Sequence, residues 1–120
     1  MIYGPYSPFQ SAGNLVFTAG QVGATDGKAP KDITQQTKLA LANLGNVLAD
    51  AGSGLDLVVK TTVFLTDMSL FEQMNDAYQE VFSGHGSRPA RSTVAVKELP
   101  RVADKPLLVE IEAVALGGTE

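Results

Sequence analysis

Arg88-Pro89-Ala90-Arg91-Ser92-Thr93 sets an arginine among small and apolar residues at the entrance of a strand-like segment. A guanidinium there offers a planar fork that can grip a carboxylate through two parallel hydrogen bonds. An ordinary solvated arginine in an ion pair is the competing reading, and the segment alone leaves both open. Glu110 and Glu112 stand two apart in Val109-Glu110-Ile111-Glu112 and share one strand face. Buried together they would raise one pKa towards a range useful for proton transfer; exposed, they are two solvated carboxylates. Tyr6, in Gly4-Pro5-Tyr6, could fix an aromatic hydroxyl on a rigid turn or simply anchor the N-terminal arm. Gly20-Gln21-Val22-Gly23 matches neither the dinucleotide fingerprint nor the P-loop, so nucleotide binding is rejected. Its backbone amides could still cradle a small anion. Asn75, on a helical segment, could reach a neighbouring group or stay solvated, and His85 reads as a surface loop residue.

Composition narrows the chemistry further. The chain has no cysteine and one histidine, which excludes thiol nucleophiles, disulfide scaffolds and cysteine-bound metals and predicts no metal centre. Nine basic against thirteen acidic residues give a net charge of −4, with no basic run. Nucleic acid is therefore an unlikely partner, because backbone binding needs clustered cations. No apolar run approaches the ~20 residues of a membrane span, and Met1 to Tyr3 does not read as a signal peptide. A soluble, cytoplasmic protein is expected. With 120 residues, 44% of them hydrophobic, residues 1–120 should form one domain around one core.

The elements that must hold these residues follow from periodicity. Gly13-Asn14 marks the turn of an opening hairpin, and Gly20-Gln21 should end its second strand. Ile33, Thr37, Ala40, Leu41, Leu44, Val47, Leu48 and Ala51 recur at helical spacing, with Asp32 and Gln35 as a cap and Gly52 at the C-terminal stop. Leu57 to Thr66 is β-branched and reads as a strand, reached through a right-handed crossover. Ser69 and Glu72 suggest a capping box for a second helix, whose apolar stripe is Phe71, Met74, Ala77, Tyr78, Val81 and Phe82. Ser83 to Ser87 is a loop, and strands over Ser92 to Val96 and Leu107 to Ala115 close the chain. The order is ββαβαββ, an α+β layer with two helices on one face of a mixed sheet. The uncovered face carries Phe64, Val94 and Val114 beside the glutamates, which predicts cover by another subunit.

Taken in order, Gly4-Pro5-Tyr6-Ser7, Ala19-Gly20-Gln21, Ala51-Gly52-Ser53, Val59 to Leu65, Pro89 to Val94 and Val109 to Ala113 closely resemble the YjgF/RidA family. Its members are reactive-intermediate deaminases, also known as L-PSP-type ribonucleases or translation inhibitors. The resemblance runs from Gly4 to Ala115. It implies a chorismate-mutase-like fold and a homotrimer with sites in clefts between subunits. It also implies cofactor-free hydrolysis of 2-imino acids, such as 2-iminopropanoate and 2-iminobutanoate, to 2-oxo acids and ammonia. By the same resemblance Arg91 is the substrate-carboxylate arginine, Glu110 orients the attacking water, and Tyr6, Gly20, Asn75 and Thr93 line the substrate site. Ala19 stands where the family often has serine, and Thr93 where it often has cysteine. A ribonuclease and a non-catalytic metabolite-binding trimer are the alternatives.

Overall fold

Gly13, at φ 60°, and Asn14 turn the chain between β1 (Phe9–Ala12) and β2 (Leu15–Thr18), forming the expected antiparallel hairpin. The computed structural model describes residues 4–86 and 88–117, so the expectations for Met1 to Tyr3 and for Ser87 lie outside the described residues. β2 runs antiparallel to the final strand, β6 (Val109–Leu116), as far as Phe17 opposite Val114. There the Thr18 hydroxyl accepts the Ala113 amide at 3.0 Å, a side chain standing in for a ladder carbonyl. The chain gains one residue over β6 before pairing resumes with Gln21 opposite Ile111. Gly20-Gln21 therefore does not end the strand region. It opens a two-residue strand, β3 (Gln21–Val22), and the sheet has six strands instead of five.

α1 (Ile33–Asp50) starts where expected, with the Asp32 carboxylate accepting the Gln35 amide at 2.8 Å. It stops at Gly52, whose φ of 76° lets the Ser53 amide turn back to the Leu48 carbonyl at 2.8 Å. A one-turn 3-10 helix, Leu55–Leu57, leads into β4 (Val58–Leu65). The second helix, α2 (Phe71–Phe82), corrects the capping-box expectation. Asp67 accepts the Ser69 amide, and a 3-10 turn over Met68–Leu70 feeds directly into the helix, so Ser69 and Glu72 do not cap it. β5 (Ala90–Ala95) begins two residues before Ser92 and lies parallel to β4. Arg91 is thus inside a strand, opposite Thr61, and not at its entrance.

The sheet order is β1-β2-β6-β4-β5, with β3 also on β6. Val109, Ile111, Ala113 and Ala115 of β6 and Val63 and Leu65 of β4 form one core with Leu41, Leu44 and Leu48 of α1 and Met74, Tyr78 and Phe82 of α2. Both helices therefore cover the same sheet face. Each fully enclosed leucine of α1 contributes roughly 1.5–3 kcal/mol through apolar burial. The opposite face carries Phe64, Val114, Glu110 and Glu112, with Phe17 44% and Val94 42% exposed. No helix among the described residues is long and apolar enough to cross a membrane.

Candidate functional site

Glu110 projects from β6 on the face without helices, paired in register with Phe64 on one side and Val22 on the other. It is half-buried. Burial pushes its carboxyl above the ordinary value of 4.5, and the nearby Glu112 charge pushes the same way. Gly20 lies directly against it. A Cβ at Gly20 would meet the carboxylate, with Cδ only 2.7 Å away, so the absence of a side chain permits this approach. Tyr6, Ala19, Gly20, Gln21 and Glu110 border a cleft of about 350 Å³. The Ala19 amide donates to the Pro8 carbonyl at 2.9 Å, which fastens the N-terminal arm carrying Tyr6 to this wall.

Two amide side chains of α1 hold the walls of that cleft. Asn43 Nδ2 donates to the carbonyls of Val22 and Ala24 at 3.0 and 2.9 Å, fixing the segment after Gly20. Gln36, fully buried, donates from Nε2 to the carbonyls of Pro30 and Pro106, both at 2.9 Å. Its Oε1 accepts the Leu108 amide at 2.8 Å, two residues before Glu110. Neither amide was a candidate from sequence. A polar residue next to an apolar helical stripe was the one available signal, and it is a weak one.

Arg91 sits elsewhere. Its Nη2 donates to Asn75 Oδ1 of α2 at 2.5 Å. Its Cζ lies 4.8 Å from the centroid of the Tyr78 ring and 5.7 Å from that of Phe71. Phe71, Asn75 and Tyr78 succeed one another along one flank of α2, four and then three residues apart, so one helix supplies all three contacts. Asn75 therefore faces Arg91. Thr93 follows two residues later on the same side of β5, half-buried. Among the described residues no carboxylate pairs with Arg91, so its charge is held by a neutral amide and two ring faces. Such a guanidinium keeps its full attraction for an anion.

The predicted residues thus fall into two groups. Tyr6, Gly20 and Glu110 share the cleft, which Asn43, Asn46, Val47 and Asp50 of α1 also line, while Asn75, Arg91 and Thr93 gather beside α2. Arg91 pairs with Thr61, whose hydroxyl meets Tyr78 beneath α2; Glu110 pairs with Phe64, which faces the other way. A single protomer does not bring Arg91 and Glu110 together. His85 donates its amide to Phe82 at the end of α2 and takes no part in either group.

A family profile described as Endoribonuclease L-PSP matches residues 2–117. The chain is 41% identical over 113 residues to "Protein mmf2, mitochondrial" of Schizosaccharomyces pombe, covering 93% of this chain and 87% of that protein. It is 36% identical over 116 residues to "Putative reactive intermediate deaminase TdcF" of Escherichia coli, covering 94% and 87% of the two chains. The crystal structure of E. coli TdcF with bound serine superposes with a TM-score of 0.88 at 36% identity, covering 96% of this chain and 90% of that one. The E. coli YjgF gene product gives a TM-score of 0.87 at 36% identity, with the same coverages.

Proposed function

We propose, from the premise that this chain belongs to the Endoribonuclease L-PSP family, the YjgF/RidA group, that it hydrolyses 2-imino acids to 2-oxo acids and ammonia without a cofactor. The observation that carries this reading is Arg91. A positively charged fork held only by neutral partners is a receptor for a small carboxylate.

The two groups become one site when copies of the chain assemble, and we place that assembly as a homotrimer with active sites between subunits. The apolar residues of the open face, Phe17, Phe64, Val94 and Val114, supply the contact. Arg91 of one subunit grips the substrate carboxylate and sets the imine carbon against the Glu110 cleft of the next. The imine carbon is already electrophilic, so water needs placement and a proton acceptor. Glu110 takes one proton from the attacking water as the new C–O bond forms, giving a carbinolamine. It returns that proton to the nitrogen, then takes the hydroxyl proton and passes it to the same nitrogen as the C–N bond breaks, so the carbonyl forms and ammonia leaves. Burial, which raises the Glu110 pKa, makes the carboxylate a better proton carrier for this cycle. Tyr6 and the Gly20 backbone complete the wall, and Thr93 lies beside the clamp. A cytoplasmic setting belongs to this proposal.

The test is a coupled assay in which a dehydratase generates 2-iminobutanoate and release of 2-oxobutanoate is followed with and without the protein. Acceleration of release supports the reading; no acceleration at micromolar protein overturns it. The family description also favours a second reading, RNA cleavage. A net charge of −4 and scattered cations argue against it. Salt-sensitive cleavage of RNA by purified protein that Arg91→Ala abolishes would reverse the preference.

A further inference from the structure

Thr61 is fully buried in β4, and its hydroxyl lies 2.7 Å from the phenol oxygen of Tyr78. Thr61 is also the residue opposite Arg91 in the β4–β5 ladder. The Tyr78 ring, in turn, carries the Arg91 guanidinium 4.8 Å from its centroid. A closed frame therefore runs from Arg91 through its backbone neighbour, across a hydroxyl pair, to an aromatic ring and back to the head of Arg91. Apolar packing does not call for these side chains. Valine would fill the Thr61 position with the same shape, and phenylalanine would fill Tyr78, each without burying a polar atom. Two hydroxyls are instead withdrawn from water for one mutual hydrogen bond, an exchange that brings little net stability. Burial also pushes the Tyr78 phenol up, against the smaller opposing effects of the Thr61 bond and the Arg91 charge, so the hydroxyl stays protonated and its ring stays neutral beneath the cation.

We infer that the Thr61–Tyr78 hydroxyl pair is a positioning device for Arg91, locking the tyrosine ring as the platform that sets the plane of the guanidinium. Asn75 fixes one nitrogen of the fork and the ring fixes its tilt. Together they determine the direction from which a planar carboxylate is gripped. Neither hydroxyl touches the reacting atoms. The inference rests on the reading of Arg91 as the carboxylate clamp, and adds that the specificity of the clamp for a planar anion is set from within the core.

Three variants of the full-length protein test it: Thr61→Val, which keeps the shape and removes the hydroxyl; Thr61→Ser, which keeps the hydroxyl and removes a methyl; and Tyr78→Phe. One readout needs no substrate, the ¹⁵N relaxation order of the Arg91 Nε–H group in the ligand-free protein. The other is the split of KM and kcat for 2-iminobutanoate, with the Kd for 2-oxobutanoate by titration. Thr61→Val and Tyr78→Phe are expected to lower Arg91 order and to raise KM and Kd roughly three- to tenfold, the size of one lost hydrogen bond. Their kcat should change less than about twofold, because the proton-transfer group is untouched. The double variant should be no worse than either single, and Thr61→Ser should stay near wild type. Packing alone predicts the opposite ranking, with serine worse than valine. That ranking, or an unchanged Arg91 order in both hydroxyl-free variants, overturns the inference. If the wild-type protein neither turns over the imine nor binds 2-oxobutanoate, the proposed function falls, while the Arg91 order in the variants still decides whether the frame exists.

Discussion

Among the described residues the Arg91 fork meets an amide oxygen and two ring faces, none of which carries a charge of its own, so no carboxylate of the protomer competes for it. A lysine there would offer a point charge without the fork, so Arg91→Lys is expected to fail almost as badly as Arg91→Ala. Both should lose about 10²-fold or more in imine hydrolysis; near-wild-type release of 2-oxobutanoate by Arg91→Ala would show that the clamp lies elsewhere. Glu110 titrates in the reverse sense to a salt-bridged carboxylate. Its folded pKa lies above 4.5, so ionisation costs stability above that folded value, and the cost disappears as pH falls below about 4.5. Glu110→Gln should therefore abolish most turnover yet melt at or above the wild-type temperature near pH 7, the difference closing towards pH 4. Glu112 contributes the smaller part of the upward push. Glu112→Gln should leave the rate at neutral pH near wild type and move the acid limb of the pH–rate profile to lower pH; an unmoved limb would detach that limb from Glu110. The arginine and the glutamate pair were legible as candidates from residue type and spacing, and only the family resemblance singled out Arg91 as a clamp and Glu110 over Glu112. Tyr78 and Thr61 were not legible, since an aromatic on a helix stripe and a β-branched residue in a strand are what packing alone asks for.

At the level of elements, α1 was readable almost whole because its stripe, its Asp32 cap and its Gly52 stop are all local signals. β3 was not readable. It is two residues long, and it exists because a hydroxyl at Thr18 takes the amide of Ala113, a partner 95 positions away. α2 was found but its start was misread, because Asp67 and a 3-10 turn do what Ser69 and Glu72 could have done. Gln36 shows how an element sets the site without entering it. Three backbone groups from the two loops flanking the cleft converge on one buried amide. Gln36→Leu should leave those groups unsatisfied and cost about 2–4 kcal/mol, read as a lower denaturant midpoint. A cost below about 0.5 kcal/mol would mean that water or a rearranged loop replaces the amide.

For the whole molecule, the decisive geometry is that Arg91 and Glu110 face opposite sides of one sheet. Light scattering should report about three times the 12.6 kDa chain mass at micromolar concentration, and a monomer would remove both the trimer and its shared sites. A sharper check mixes two inactive proteins. Arg91→Ala and Glu110→Gln subunits, unfolded together and reassembled, should recover up to about a quarter of wild-type activity, because some interfaces then pair an intact arginine with an intact glutamate. No recovery would place both groups of a working site in one chain. The open sheet face was legible from alternation in β6, whereas the division of the site between faces needed the β4–β5 register. That division has a kinetic consequence. On the proposed shared site, a chain newly released from the ribosome would have both halves of the chemistry and no way to use either, and activity is expected to appear with the order of an encounter reaction, lagging behind synthesis and vanishing on dilution faster than protein concentration falls.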